Sequence, residues 1–294
     1  MSNILRVALV QERDHGSVAV NLDAIEVALR SAAKQGARLA LLQELHNGPY
    51  FCQHESTAEF DRAESIPGPS SKRIGTLAAE LNLVIVASLF ERRAAGLYHN
   101  TAVVFDCSED ICGMYRKMHI PDDPAFYEKF YFTPGDLGFE PIATSVGKLG
   151  VLVCWDQWYP EAARLMALAG ADMLLYPTAI GWDPDDDDAE KVRQRDAWIT
   201  VQRGHAIANG LPLLACNRTG FEPAPDNGRG LRFWGSSFVA GAQGEILAYA
   251  DEDSCTVLIA DIDRARSESV RRIWPFLRDR RIDAYADLLK RYRD

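Results

Sequence analysis

No apolar run in this chain of 294 residues approaches the ~20 needed to cross a bilayer, so neither a helical membrane span nor a membrane partner is expected. Paired cysteines are missing too. The six present (Cys52, Cys107, Cys112, Cys154, Cys216 and Cys255) lack metal-site spacing and the density of a disulfide framework, which fits a reducing compartment with no metal bound. Positive charge is in deficit. With 32 Lys and Arg against 42 Asp and Glu, the net charge of -10 speaks against a nucleic-acid surface and suits a cationic small molecule. The opening MSNILRVALVQ enters a strand pattern without the charged, apolar and small-residue order of a signal peptide, so a cytoplasmic location is expected. No repeat, composition break or long linker divides the chain, and a single domain over residues 1–294 is expected.

What is present is globular: 47% hydrophobic and 25% charged residues, arranged as short apolar runs alternating with amphipathic stretches. Ile4 to Val10 reads as a strand, and Leu22, Ile25, Leu29 and Ala32 mark one face of a helix that Gly36 ends. Leu39 to Leu42 is a second strand and delivers Glu44. The spacing predicts a helix over 70–81 and strands over 84–89, 101–105 and 111–115, with Lys117 just beyond the last. Further on, a helix near 187–208 aligns Trp198, Val201, His205 and Ala208, before strands over 213–216, 236–239, 246–249 and 256–259. Interleaved elements in both halves predict an α/β sandwich with helices covering the sheets.

The segment from Gly150 to Ala179 carries the most information. Val151 to Val153 reads as a buried strand, Pro160 opens a helix whose Ala162, Leu165, Leu168 and Ala169 share a face, and Gly170 closes it before a strand from Met173 to Tyr176. Cys154 therefore sits where a strand turns toward a helix. A thiol at that carboxyl end faces the crevice where ligands bind, as at a nucleophile elbow, although a free cysteine also serves as a small core hydrophobe. Glu44 and Lys117 occupy comparable places after their own strands. A thiol needs a base or a cation nearby to react at neutral pH; Glu44 offers the first and Lys117 the second, while each alone also reads as a solvated loop charge.

LLQELH around Glu44, YRKMHIP around Lys117 and LVCWDQWYPEAAR around Cys154 resemble the three signature segments of the nitrilase (carbon-nitrogen hydrolase) superfamily, which uses a Glu-Lys-Cys triad. The likeness runs on through YEKFYFTPGD, where Glu128 matches the second glutamate, and through GADMLLYPTA. It spans nearly the whole chain in the family's order. Within the superfamily, CWDQWYPEAAR, PTAIGWDP and RGHAIANGLPLLACNRTG are similar to the N-carbamoylputrescine amidases of polyamine biosynthesis. The resemblance implies an αββα subunit, a metal-free and cofactor-free mechanism, and a homo-oligomer built from a four-layer dimer, with residues 273–294 an extension across a neighbouring subunit.

It also implies roles. Cys154 attacks a ureido carbonyl after Glu44 takes its proton, Lys117 and the Trp155 backbone N–H hold the oxyanion, and Glu128 orients Lys117 and water. Asp183 stands where those relatives carry an acid for a distal ammonium, and Trp155, Trp158 and Trp182 are expected along a methylene channel, although tryptophan also serves as plain packing. Phe126 stands where polyamine-type relatives often place a tyrosine. His205, on an apolar helical face, reads as a packing histidine, and His119 as a brace behind Lys117. The aspartate run from Asp185 to Asp188 reads as an acidic helix start. Hydrolysis of N-carbamoylputrescine to putrescine, carbon dioxide and ammonia is the expected activity. The alternatives are an ω-amidase or a carbamoyl-β-alanine amidohydrolase, whose acidic substrate would demand an arginine in place of Asp183, and a catalytically silent homologue that binds a polyamine or a partner protein.

Overall fold

Strands and helices alternate along the chain in the order that the apolar pattern predicts. β1 (Ile4–Gln11), α1 (Val18–Lys34), β2 (Leu39–Leu42), α2 (Pro69–Leu81), β3 (Val84–Ala94), β4 (Leu97–Asp106) and β5 (Ile111–Arg116) build the first half. The second half continues with α3 (Glu128–Tyr131), β6 (Ile142–Thr144), β7 (Gly147–Val151), α4 (Pro160–Leu168), β8 (Met173–Thr178), β9 (Gly181–Trp182) and α5 (Asp188–Asn209). It closes with β10 (Leu213–Asn217), β11 (Thr219–Pro223), β12 (Gly230–Trp234), β13 (Phe238–Ala240), β14 (Ile246–Tyr249), β15 (Thr256–Asp263) and α6 (Arg264–Ile273). This computed structural model describes residues 3–225 and 229–293.

Two six-stranded sheets result, ordered β15-β1-β2-β3-β4-β5 and β14-β13-β10-β8-β7-β6. In the first, β1, β2 and β3 run parallel through crossovers that contain α1 and α2; in the second, β7, β8 and β10 do so through α4 and α5. The period of two sorts the first sheet's side chains. Val7, Leu9, Leu39, Leu41, Val84 and Val86 enter the layer between the sheets and join the second sheet's Leu149, Val151 and Leu213. Their neighbours Ala8, Val10, Ala40, Leu42, Ile85 and Ala87 face outward, onto Leu22, Ile25 and Leu29 of α1 and Ile74 and Leu77 of α2. With α4 and α5 packed on the second sheet through Ala162, Met166, Trp198 and Ala206, the subunit is the expected αββα sandwich.

Two helical faces differ from the expected ones. On α4 the buried residues are Ala162, Ala163, Met166 and Ala167, leaving Leu165 and Leu168 exposed. On α5 the buried stripe is Trp198, Gln202, His205, Ala206 and Asn209, whereas Val201 is half-buried and Ala208 exposed. On α5 local bonding contributes. The Gln202 and Asn209 amides donate to the helix's own carbonyls, Trp198 O at 3.2 Å and His205 O at 2.9 Å, which lowers the cost of burying them. Helix ends follow the sequence more closely: Asp187 accepts from Glu190 N at 2.7 Å to cap α5, and Gly210 closes it in the left-handed conformation at φ 59°.

This topology brings three strand ends to one edge. β2 and β7 are parallel strands of their sheets, and β5 runs in the same direction as β3 because two antiparallel steps separate them. The two sheets also touch there directly. Glu44 N, just past β2, donates to Thr178 O at the end of β8, 3.3 Å away. Beyond α6, Ile282–Ala284 and Ala286–Leu289 form two short 3-10 turns, and Ile273, Ile282, Leu288 and Leu289 are exposed. No helix among the described residues is long and apolar enough to cross a membrane.

Candidate active site

Glu44, Lys117 and Glu128 are fully buried and form one chain of charges. Lys117 Nζ lies 2.8 Å from Glu44 Oε1 and 2.6 Å from Glu128 Oε2. Each carboxylate has a further donor: Asn100 Nδ2 reaches Glu44 Oε1 at 2.7 Å, and the Tyr50 hydroxyl donates to Glu128 Oε1 at 2.8 Å. Glu44 Oε2 is left buried with no hydrogen-bond partner among the described residues. An acceptor so placed is free to take a proton from a neighbour or substrate.

Cys154 closes this side of a cleft of about 420 Å³. It opens a short 3-10 turn, Cys154–Trp158, with φ at 42°, a left-handed conformation that costs a non-glycine residue roughly 1–3 kcal/mol and recurs at functional sites. The strand-end elbow is therefore real. Its sulfur faces Ala179 O at 3.9 Å. Asp156 fixes the turn from below: one carboxylate oxygen accepts from Val153 N and the Tyr115 hydroxyl, the other from the His119 backbone and ring. Through Asp156 the cysteine turn and the loop after Lys117 are one unit, and His119, stacked on Tyr159, is the brace that was expected.

The protonation states follow from burial and charge. Burial alone would deprotonate Lys117, but Glu128 and Glu44 outweigh it and hold the ammonium well above the ordinary lysine range. Burial and the charge of Glu44 push the Cys154 thiol well up, against a smaller pull from Lys117. The thiol is thus neutral at rest and needs a base at the moment of attack. Glu128 is raised as well, by burial and then by Glu44, although Lys117 and Tyr50 oppose the shift.

Several supporting residues hold the charged groups in place. Asn100 is aimed by Ser88, whose hydroxyl donates to Asn100 Oδ1 at 3.2 Å and accepts from Leu45 N. Arg218, buried, donates to the carbonyls of Glu44, Leu45 and Gly48 and pairs with Glu222, so it clamps the Glu44 loop. Gly135 packs so closely on the residue before Lys117 that a Cβ there would lie 2.0 Å from Arg116 O. His205 is satisfied by Gln157 O at 2.8 Å and serves packing, as expected.

The cleft wall contains Glu128, Cys154, Phe126, Trp155, Trp158 and Asp183, which brings most of the expected binding residues together. Trp182 is the exception. Its indole N–H donates to Lys191 O at 2.9 Å and its ring packs on Trp234, and it is Trp234 that lines the cleft instead. Two further acids, Asp123 and Asp186, join the lining. Asp183 itself accepts from Asp185 N at 2.9 Å and from Arg229 at 3.0 Å. Among the described residues one cluster of metal-ligating atoms, on Glu12, His15 and Cys255, lies within 4.8 Å, but none of the three lines the cleft.

Comparison with known proteins gives the same frame. Residues 6–272 match the carbon-nitrogen hydrolase family. The chain is 43% identical over 291 residues to an N-carbamoylputrescine amidase from Solanum lycopersicum, covering 98% of this chain and 96% of that protein. It is 42% identical over 293 residues to a citrullinase from Francisella tularensis, covering 99% and 100%. The crystal structure of a carbon-nitrogen hydrolase from Helicobacter pylori G27 superposes with a TM-score of 0.96 at 56% identity, covering 99% of this chain and 100% of that one. This chain therefore belongs to the carbon-nitrogen hydrolase family.

Proposed function

We propose that this protein hydrolyses the ureido C–N bond of N-carbamoylputrescine, and that the Lys117 ammonium held between Glu44 and Glu128 beside Cys154 is the machinery of that reaction. Cys154 Sγ attacks the ureido carbonyl while Glu44, through its unpartnered Oε2, takes the thiol proton. Lys117 and the Trp155 backbone N–H hold the resulting oxyanion, a role worth about 3–4 kcal/mol per donor in related acyl-transfer sites. The tetrahedral species collapses as Glu44 returns the proton to the departing nitrogen, and ammonia leaves. Water, deprotonated by Glu44 and oriented by Glu128, then attacks the thiocarbamate; the thiolate leaves and recovers a proton from Glu44. The carbamate released loses carbon dioxide and leaves putrescine.

For the substrate, similarity to an N-carbamoylputrescine amidase across nearly the whole chain supports the ureido head, and the likeness to a citrullinase keeps that head group while changing the tail. Asp123, Asp183 and Asp186 on the cleft wall suit a cationic tail, and Phe126, Trp155, Trp158 and Trp234 suit the methylenes between. Exposed Ile273, Trp274 and Phe276 support packing of the 273–294 segment on a second subunit in a homo-oligomer. The test is ammonia release from a panel of N-carbamoylputrescine, ω-amides and carbamoyl-β-alanine. Preference for either of the last two overturns the substrate; no release from any of them overturns the reaction.

A further inference from the structure

Away from the cleft, three chemically different metal donors meet at the end of the first sheet. β1 stops at Gln11 and β15 starts at Thr256, and these two residues face each other as the last pair of an antiparallel ladder. Glu12 and Cys255 are the next residues on the two strands, so their side chains leave on the same face, carboxylate beside thiol. The turn after Glu12 folds His15 back, with Nε2 3.1 Å from Glu12 Oε2. A carboxylate oxygen, an imidazole nitrogen and a sulfur thereby lie within 4.8 Å of one another. The supports behind them are specific. Gln11 Nε2 donates to Ser254 O, next to Cys255, and to Asp251 O, both at 2.9 Å, and Glu12 O accepts from Thr219 N at 3.1 Å. The His15 N–H donates to Oδ1 of Asn21, a buried residue of α1, at 2.7 Å. Ligands placed on rigid elements and held by bonds behind them are what a metal site requires.

The donor set selects the ion. Thiolate and imidazole favour borderline and soft metals, and a carboxylate joins them readily at zinc, whereas Mg²⁺ and Ca²⁺ take oxygen ligands. Zinc holds its ligands at about 2.0–2.3 Å, which sets tetrahedral neighbours roughly 3.5 Å apart, so the three atoms need to close by little more than about 1 Å. Glu12 is buried, His15 half-buried and Cys255 exposed, which leaves an entry path and room for a water as fourth ligand. We infer that Glu12, His15 and Cys255 bind one zinc ion, with water completing the tetrahedron. Binding forms bonds from the metal to Glu12 oxygen, His15 Nε2 and Cys255 Sγ, and the thiol proton passes to solvent. None of the three residues lines the cleft, so the ion sits apart from the Cys154 chemistry. Its place is structural: it pins β1 to β15 and to the turn that enters α1. Through the bond from Thr219 N to Glu12 O it also lies one residue from Arg218, the clamp on the Glu44 loop.

The experiment titrates the reduced, full-length protein with Zn²⁺ in competition with a chromogenic chelator, and with Co²⁺ followed by absorption. The wild type and Cys154→Ser should each bind one equivalent of Zn²⁺, and both Co²⁺ forms should show a thiolate charge-transfer band with the intense visible bands of a tetrahedral centre. Cys255→Ser and His15→Gln should each weaken Zn²⁺ by roughly a hundredfold or more, since even a group behind a metal ligand is typically worth 10–100-fold. Zn²⁺ at a hundred times its Kd should raise the Tm of the wild type by roughly 4 °C and leave these two variants unmoved, while the metal-free Tm of all three proteins should agree. A wild type that binds no Zn²⁺, a Co²⁺ spectrum without the thiolate band, or binding that Cys154→Ser abolishes and Cys255→Ser spares overturns the inference. The wild-type and Cys154→Ser spectra decide this whether or not the other variants fold, and none of these readouts depends on which C–N bond the cleft hydrolyses.

Discussion

The closed and open ends of the cleft treat charge in opposite ways. At the closed end Glu44, Lys117 and Glu128 are wholly out of water, and Asn100 and Tyr50 occupy carboxylate oxygens that Lys117 does not fully satisfy. At the open end Asp183, Asp185 and Arg229 pair while still solvated. Two unit charges 4 Å apart attract by ~1 kcal/mol in water and by ~4 kcal/mol where the effective dielectric is near 20, so equal geometry does unequal work at the two ends. The closed end is consequently committed to one reaction. The open end is where substrates of different charge can be told apart at small cost to the fold.

The strongest way to break this contrast is at the nucleophile. Cys154→Ser should keep the fold and lose nearly all turnover, and iodoacetamide should inactivate the wild type by labelling Cys154 ahead of the other cysteines; peptide mapping that finds Cys52 or Cys216 labelled in step with inactivation would reassign it. Next come the charges. Glu44→Gln and Lys117→Met should each cut kcat by about a thousandfold or more, and the double variant should be little worse than either single one, since residues acting as a unit are not additive. Additive losses in that double-mutant cycle would mean that the two side chains act separately.

A pH experiment tests how well the closed end excludes protons. His46, whose ring donates to Ser88 O at 2.8 Å, is lowered from 6.5 to about 4, chiefly by burial. The unfolded chain therefore binds this proton at a higher pH than the folded one does. The stability contribution is complete above about 6.5 and is lost as pH falls toward about 4, by up to roughly 3 kcal/mol. Urea denaturation at pH 7 and pH 5 should show that loss in the wild type and less of it in His46→Asn; equal slopes in the two proteins would deny His46 the role.

Smaller effects sharpen the comparison further. Tyr50→Phe removes a donor from Glu128, a bond that lowers the Glu128 carboxyl, so kcat should drop by about tenfold and the acid limb of the pH profile should move upward. A drop in kcat with the limb unmoved would make Tyr50 a packing residue only. Asp183→Asn should cost N-carbamoylputrescine roughly threefold to tenfold in kcat/KM, because its pair is solvated, and the deficit should shrink in high salt. A salt-independent deficit would show that the open end is more enclosed when substrate is bound.

Strand ends were legible in the sequence because burial and a period of two leave few alternatives: Glu44, Lys117 and Cys154 are found where the apolar runs stop. Residues that support them were not. Tyr50 meets Glu128 across 78 positions and Asn100 meets Glu44 across 56, distances at which no local pattern operates. The helical faces of α4 and α5 were misread for a different reason. Leu165 and Leu168 carry core spacing yet are exposed, while α5 buries Gln202 and Asn209, polar residues that apolar spacing cannot place, each donating one side-chain N–H to its own helix. Trp182 fell to the same limit. Its indole is spent on Lys191 O, and the neighbouring strand supplies Trp234 in its stead.

The backbone bond from Glu44 to Thr178 O ties the two sheets together beside the site, as Cys216 Sγ to Val10 O and Ser237 N to Gln11 Oε1 do further along. General base and nucleophile ride on different sheets, so their separation is set by how the sheets slide on one another. The enzyme in effect gauges the registry of its own sandwich. Enlarging Val86 or Leu174, which pack in the layer between the sheets, should cost turnover before it costs helix content, as activity and far-UV circular dichroism of the same variants would show.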